Sequence, residues 1–132
     1  MQQPSIFTKI INKEIPAHRI YEDERVIAFL TTHPLCDGHT LVIPKKQIDQ
    51  IWDLETENFH YLWDVTKKIA LRLRKVMNVN RVGVVVKGFE VPHAHIHLIP
   101  LSVHIRINFD PEPSPPIAAD KHLAAIAERL HF

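Results

Sequence analysis

The sequence predicts one α+β domain, in which short strands accompany a single long helix. Apolar residues recur at helical spacing over residues 54–77, whereas residues 17–30, 40–43, 82–86 and 93–99 form short runs between turn residues. A chain of 132 residues can bury a substantial core and has the length of one domain. We therefore expect the helix and the strands to pack as one unit.

The composition is that of a soluble globular protein. Apolar residues make up 45% of the chain and charged residues 23%, both ordinary values. The net charge of +1 argues for neither a nucleic acid nor an acidic membrane as partner. The single Cys36 cannot form an internal disulfide, which fits a reducing compartment. The chain has neither an apolar signal segment nor a run near the ~20 residues of a membrane helix, so we expect a cytoplasmic protein.

A short helix is predicted over residues 5–12. Ser5 suits its N-cap, because a serine hydroxyl accepts a hydrogen bond from a backbone N–H group of the first turn. Apolar side chains of this segment are expected to face inward: Ile6, Phe7 and Ile10. Residues 17–21 and 25–30 then predict a β-hairpin. We interpret the acidic residues 22–24 between them as a solvated turn and not as a catalytic carboxylate pair.

A loop over residues 33–38 leads to His39, which lies at the start of a predicted strand. Gly38 is expected to supply a backbone conformation that a larger residue resists. Lys45 and Lys46 follow this strand, and we interpret them as a solvated basic pair.

The long helix is the clearest element of the sequence. Asp53 or Thr56 is a plausible N-cap, and cations late in the helix suit its dipole. We interpret its aromatic side chains as core and not as a platform for stacking bases. The apolar stripe recurs at helical spacing and contains Phe59, Leu62, Trp63, Thr66, Ile69, Ala70, Leu73, Val76 and Met77.

After a predicted buried strand at residues 82–86 and the histidine-rich segment, the chain changes character. Residues 103–109 alternate between apolar and polar, which predicts a further strand or an arm that packs on a partner. Residues 111–116 are a proline-rich linker. A short helix with an apolar face follows, marked by Leu123, Ile126, Ala127 and Leu130. We therefore divide the chain into a domain, 1–101, and an extension, 102–132, packed on that domain or on a partner.

Three histidines alternate with apolar residues in His93-Ala94-His95-Ile96-His97-Leu98-Ile99. In an extended strand, alternate side chains point to opposite faces, so the histidines share one face. They could be structural, bind a metal ion or act chemically. At ~3.3 Å per residue, His93 and His97 lie too far apart to bind one zinc ion. A pair of adjacent histidines could still share a metal with ligands from elsewhere.

The sequence contains no glycine-rich phosphate loop and no paired-carboxylate site for a metal. If the substrate is a phosphate ester, imidazole must therefore perform the chemistry. A neutral imidazole, with an ordinary pKa near ~6.5, can attack phosphorus and split one displacement into two steps. Such a nucleophile needs its other ring nitrogen protonated and anchored, commonly on a backbone carbonyl.

Three segments of the chain resemble the histidine triad (HIT) family, in the manner of its bacterial Hint-like branch. Residues 93–99 are similar to the family signature of three histidines alternating with apolar residues. Residues 5–17 resemble its opening segment, and residues 38–46 resemble its central strand with a fourth histidine. The segments occur in the family's order, and the resemblance runs from about Ser5 to about Leu101.

The resemblance implies an antiparallel sheet of about five strands, one long helix and a homodimer. It also implies that His95 is the nucleophile and that the backbone of His93 orients the His95 ring. His97 would bind the phosphoryl group, and His39 would belong to a relay beside the nucleophile. The implied substrate is a purine nucleotide or nucleotide conjugate, cleaved at the α-phosphate through a nucleotidyl-His95 intermediate. No cofactor is expected.

The resemblance implies a substrate-binding set that consists of Ile6, Phe7, Ile27, Phe29, Thr31 and Lys87. Thr31 stands where the family usually has an aspartate that holds the ribose. Glu90 stands near the position of a usual glutamine, where a carboxylate would repel phosphate. Lys87 would offset that repulsion. Ser5 and Thr8 replace the cysteine pair of a zinc site found in many bacterial members, so no structural zinc is expected.

Three hypotheses therefore remain open. The first is a nucleotide hydrolase or nucleotidyl transferase that works through His95. The second is a nucleotide-binding or scaffolding protein with little catalysis, which the Thr31 and Glu90 departures favour. The third is a metal protein built on adjacent histidines.

Overall fold

The computed structural model describes residues 2–105, 107 and 115–132. Its centre is a five-stranded sheet in the order β1-β2-β3-β5-β4, in which all neighbours are antiparallel. The predicted α+β class with an antiparallel sheet is therefore confirmed. The strands are β1 (Arg19–Glu22), β2 (Val26–Leu30), β3 (Thr40–Pro44), β4 (Arg81–Val85) and β5 (Ile96–Leu101).

Three α-helices accompany the sheet, all in regions where the sequence predicted helix. They are α1 (Ile6–Ile11), the long α2 (Thr56–Val76) and α3 (Asp120–Leu130). A single 3-10 turn, Ile51–Asp53, precedes α2. Within the described part of the chain, no helix is both long and apolar enough to span a membrane.

The main core lies between the sheet and the two helices α2 and α3. Because strand side chains alternate between faces, every second residue of the inner strands meets these helices. Each fully buried Leu or Ile of this kind stabilises the fold by about 1.5–3 kcal/mol relative to leaving it exposed. Its buried members include Val42, Ile96, Leu98, Leu62, Val65, Ile69, Leu73, Leu123, Ile126, Ala127 and Leu130.

A smaller cluster lies on the opposite face of the sheet, beneath α1. Its buried residues are Phe7, Ile10, Ile27, Phe29, Leu41 and Ile43. Ser5 caps α1 as predicted, since its side chain accepts a hydrogen bond from the Thr8 N–H. The prediction that Ile6 faces inward is wrong, because Phe7 and Ile10 fill the narrow buried face of a six-residue helix and leave Ile6 49% exposed.

Two predictions about strands are wrong. β4 was predicted to be buried, but it forms an edge of the sheet and leaves Val84 48% exposed. The strand expected from residue 93 begins at Ile96, because the Ala94 N–H donates to the Ile48 carbonyl outside the sheet ladder. Sequence periodicity carries no information about such a distant acceptor.

The chain turns directly after β5. The Ile105 N–H donates to the Ser102 carbonyl, so residues 103–105 do not continue as the predicted strand. Residues 106 and 108–109 of that prediction lie outside the described residues, as do residues 111–114 of the predicted linker. The helix α3 packs into the same core as α2, which places part of the predicted extension against the sheet.

Polar details correct three further expectations. The N-cap of α2 is Glu55, with no side-chain hydrogen bond, and not Asp53 or Thr56. Asp23 does not lie in a solvated turn, because it accepts hydrogen bonds from both Tyr21 and Tyr61. Lys45 Nζ lies 2.8 Å from Oε2 of Glu22 in β1. Lys45 is therefore ion-paired, and the interpretation of Lys45 and Lys46 as a solvated pair is wrong for Lys45.

The loop before β3 has the predicted conformation. Gly38 has a φ of +90°, and a Cβ atom there would lie 3.0 Å from Cγ of Pro100. Glycine therefore meets both a backbone and a packing requirement at the position before His39.

Candidate active site

His93 is fully buried and has hydrogen-bond partners at both ring nitrogens. Its Nε2 lies 2.7 Å from the Pro44 carbonyl oxygen, which can only accept, so Nε2 carries the proton. Its Nδ1 lies 2.7 Å from Ser5 Oγ, which therefore donates to it. Burial lowers the pKa of His93, and the nearby His95 lowers it further. His93 is thus a neutral side chain that links β3 to the N-cap of α1.

His95 is oriented by the backbone of His93. Its Nδ1 lies 2.7 Å from the His93 carbonyl oxygen, so Nδ1 carries the proton and donates it. In this tautomer the lone pair of the ring lies on Nε2. The edge of the ring that carries this atom faces Gly88, because a Cβ atom on Gly88 would lie 2.9 Å from Nε2.

His39 and His97 form a hydrogen-bonded pair beside His95. The Leu35 N–H donates to His39 Nδ1 at 3.1 Å, which places the His39 proton on Nε2. That atom lies 3.0 Å from His97 Nδ1 and donates to it. The second proton site of His97 is then Nε2, and the backbone of Lys87 accepts a hydrogen bond from this histidine.

Burial keeps this pair neutral. It lowers the pKa of His39 to about 4. It also lowers the pKa of His97 to about 3, and electrostatic interactions with His95, His39 and Lys87 lower it further. At neutral pH the pair therefore forms a fixed chain of neutral donors and acceptors. The centres of the two imidazole rings lie 5.2 Å apart.

An open cavity of about 510 Å³ adjoins His95. It lies between the segment around the 3-10 turn and the loop between β4 and β5. Lys87 is the one member of the predicted substrate-binding set in its lining, and Glu90 is exposed outside that lining. The lining residues are Asp49, Gln50, Ile51, Trp52, Val86, Lys87, Gly88, Phe89, Pro92, Ala94 and His95.

The other predicted substrate-binding residues lie near the histidines on the α1 face of the sheet. Phe7 contacts the nucleophile candidate edge-on, with its ring centre 5.1 Å from that of His95. Ile27 and Phe29 are buried beneath α1, whereas Ile6 is exposed. Thr31 follows β2, and its N–H donates to the His39 carbonyl.

Sequence reasoning missed several residues that shape this site. Ser5 was recognised as a helix cap, but its contact with His93 was not. Gln47 holds the same corner, because its Oε1 accepts from the Ser5 N–H at 2.9 Å and from Thr8 Oγ1 at 2.7 Å. The sequence did contain one signal for this corner. The family resemblance places Ser5 and Thr8 where many bacterial members have a zinc-binding cysteine pair.

The ring nitrogens bear on the metal hypothesis. His93 uses both nitrogens in hydrogen bonds, and Nδ1 of His97 accepts from His39. Across residues 2–105, 107 and 115–132, no group of three or more His, Cys, Asp or Glu side chains is arranged to hold a metal ion. The lone pairs of His93 and His97 thus accept hydrogen bonds from Ser5 and His39, whereas His95 uses its Nδ1 proton and keeps its lone pair on Nε2.

A family model described as the HIT domain matches residues 12–104. This range covers most of the chain and includes His39, His93, His95 and His97. The chain belongs to the HIT family. An uncharacterized HIT-like protein of Methanocaldococcus jannaschii is 46% identical over 103 residues, covering 72% of this chain and 77% of the relative. The name of this relative gives its family and no activity.

Solved HIT structures have the same fold. A HIT-like protein of Bartonella henselae, described as involved in cell-cycle regulation, superposes with a TM-score of 0.86 at 32% identity, covering 98% of this chain and 96% of its own. A hypothetical histidine triad nucleotide-binding protein of Sulfolobus tokodaii gives a TM-score of 0.83 at 25% identity, with coverages of 94% and 87%. The superpositions extend beyond the HIT-domain match and include most of the chain.

Proposed function

We propose that this HIT protein cleaves a nucleotide conjugate at its α-phosphate, through a covalent nucleotidyl-His95 intermediate. The observation that carries the proposal is the hydrogen bond from His95 Nδ1 to the His93 carbonyl, 2.7 Å long. It fixes the tautomer in which Nε2 has a free lone pair beside the cavity. An imidazole nucleophile requires this arrangement.

In the first step, His95 Nε2 attacks the α-phosphorus and forms an N–P bond. The bond from phosphorus to the leaving group breaks on the opposite side, and the leaving group departs with that electron pair. An amine leaving group takes up a proton from water. In the second step, water attacks the nucleotidyl-His95, releases the nucleoside monophosphate and a proton, and restores the imidazole. Another acceptor in place of water would make the protein a nucleotidyl transferase.

His97, His39 and Lys87 are proposed to assist these steps. A neutral His97 can donate from Nε2 to a phosphoryl oxygen when the phosphate replaces the Lys87 carbonyl as its acceptor. His39 fixes the His97 tautomer by donating to its Nδ1. Lys87 lines the cavity and adds a positive charge. Donors already oriented toward developing charge stabilise a transition state without reorganisation.

The nucleoside is proposed to lie on the α1 face, where the resemblance places Ile6, Phe7, Ile27, Phe29 and Thr31. A purine is the expected base. The Thr31 hydroxyl accepts a hydrogen bond from the His33 N–H at 3.2 Å, and it can still donate one to a ribose hydroxyl. A carboxylate would accept from two ribose hydroxyls, so we expect weaker ribose binding here.

That weaker contact favours a second candidate function. A protein with Thr31 in place of a ribose-binding aspartate could bind nucleotides as a scaffold and turn them over slowly. The two functions differ in one observable, which is the covalent adduct on His95.

We also propose that the protein is a cytoplasmic homodimer. β4 lies at an edge of the sheet and its Val84 side chain is 48% exposed, which supports an association of two sheets. An apolar strand at the edge of a sheet is otherwise prone to aggregation.

The test is a single-turnover reaction with adenosine 5′-phosphoramidate, followed by intact-mass spectrometry without acid. Wild type should gain transiently the mass of one AMP, and His95→Ala should gain none. His104→Ala removes an exposed histidine of the turn after β5 and should behave as wild type. Binding without any adduct or AMP release would instead support the non-catalytic function.

A further inference from the structure

Two aromatic side chains at the cavity beside His95 are exposed to solvent. Trp52 is 75% exposed and Phe89 is 99% exposed. Val86, which is 43% exposed, lies in the same lining. Large apolar side chains that face a common cavity next to a reactive group are typical of a ligand site.

The segment that carries Trp52 is well anchored. Its neighbour Ile51 is 2% exposed and belongs to the main core. The indole ring centre lies 6.1 Å from the ring centre of Phe59 in α2. The exposed indole is therefore positioned by the fold, although most of its surface remains available to a ligand.

The geometry at phosphorus decides which part of a substrate this cavity can hold. In an in-line displacement the leaving group lies opposite the nucleophile. The proposed nucleoside site, around Phe29 and Thr31, contributes no residue to the cavity lining. The cavity therefore adjoins the proposed nucleophile but shares no lining residue with the proposed nucleoside site. This position suits the leaving group.

The charges in the cavity limit the nature of that group. Lys87 lies beside His97 and lowers its pKa, so its positive charge lies where the α-phosphate is proposed to bind. The other charged lining residue is Asp49. A carboxylate in the remaining space disfavours further phosphates, as in a polyphosphate leaving group, and is compatible with an uncharged aromatic one.

Resting on the proposed function, we infer that Trp52 and Phe89 form a subsite for an aromatic leaving group. The substrate class is then a nucleoside 5′-phosphoramidate whose nitrogen carries an aryl-containing substituent. His95 Nε2 displaces the amine, the P–N bond breaks, and the amine leaves with a proton from water while its ring contacts the two aromatic side chains.

The experiment compares two adenosine 5′-phosphoramidates, one made from 3-phenylpropylamine and one from propylamine. Both nitrogens carry a primary alkyl chain, so the substrates differ mainly in the distant phenyl ring. Wild type should prefer the phenyl substrate in kcat/KM by about tenfold. Each of Trp52→Ala and Phe89→Ala should reduce this preference about two- to tenfold, the usual effect of one aromatic contact, and the double variant should abolish it.

Val103→Ala is the matched control, because Val103 is 93% exposed and lies outside the cavity lining. It should retain the wild-type preference. A preference that persists in the double variant would overturn the subsite. So would an equal loss of rate for both substrates, since that result would place the nucleoside between the two rings.

Failure of the proposed chemistry gives a different result. If neither substrate forms an adduct or releases AMP, the nucleotidyl-transfer proposal fails, and calorimetric binding of the same two compounds then decides the subsite. Tighter binding of the phenyl compound to wild type, lost in the double variant, supports it. Equal affinity for the two compounds overturns it.

Discussion

At the scale of single residues, the orientation and surroundings of His95 depend on groups that are not imidazoles. A backbone carbonyl fixes its tautomer, the edge of Phe7 contacts its ring, and Gly88 leaves room beside Nε2. The histidine spacing predicted which side chains come together. It could not reveal Ser5 or Trp52, because these come from distant segments with no shared periodicity.

A methyl group on Gly88 should block the nucleophile. The Cβ atom of Gly88→Ala would lie 2.5 Å from Cε1 of His95, so the ring or the loop must shift. A misplacement of about 1 Å costs ~10²-fold in rate, and we expect a loss of that order in kcat/KM for adenosine 5′-phosphoramidate. Because Gly88 is exposed, the melting temperature of the Gly88→Ala variant should differ little from that of wild type.

Gly83→Ala is the control for this substitution. Its Cβ atom would meet the flexible end of Ile107 at 2.9 Å and none of the four clustered histidines, so the proposed activity should persist. Full activity of Gly88→Ala would show that the loop yields and that Gly88 does not limit access to His95.

At the scale of elements, α3 illustrates what local patterns can and cannot predict. Its apolar spacing predicted a helix. In α2 the same spacing identified most of the buried side chains but missed Val65, which is 1% exposed. Neither pattern says which surface covers α3. In the structure, α3 packs on α2 and on the strands β1 and β2. We therefore propose that α3 is an integral layer of the domain.

Truncation of one α3 side chain tests that proposal. Leu130 is fully buried, so Leu130→Ala should lower the free energy of unfolding by about 2–5 kcal/mol, measured by urea denaturation. Glu128→Ala, at an exposed position of the same helix, should change it by less than ~0.5 kcal/mol. Similar small effects for both would mean that α3 is detached in solution.

At the scale of the whole molecule, the buried histidines make stability depend on pH. Their unfolded pKa is near ~6.5, whereas burial lowers the pKa of His39 to about 4, that of His97 to about 3, and that of His93 as well. Above pH ~6.5 neither state takes up these protons. Below it, the unfolded state binds protons that the folded state rejects, so stability falls as pH decreases.

Each such histidine contributes a slope of about 1.4 kcal/mol per pH unit. His39 and His97 together should lower the free energy of unfolding by about 3 kcal/mol per pH unit between about pH 5.5 and pH 4.5, and His93 adds to the slope in the same direction. Urea denaturation across this range measures the slope. His97→Gln removes one titrating group and should reduce the slope by about 1.4 kcal/mol per pH unit; an unchanged slope would show that His97 does not contribute.

The order of the strands sets the proposed assembly, because it leaves β4 at an edge. Sedimentation should give twice the chain mass of 15.3 kDa for wild type. Val84→Lys places a charge on this edge and should give the monomer mass. Val103→Lys, at an exposed valine outside the sheet, should remain dimeric. A monomeric wild type would contradict the assembly.

The hydrogen bonds of His93 have a consequence for processing of the chain. Ser5 Oγ donates a hydrogen bond to His93 Nδ1, and the carbonyl of His93 accepts one from His95 Nδ1, so His93 connects Ser5 to the proposed nucleophile. The described sheet contains no residue before Arg19. A protease that trims the chain through Ser5 would therefore spare every strand of this sheet and remove the partner of His93 Nδ1, and we expect such trimming to lower the proposed activity more than the stability of the sheet.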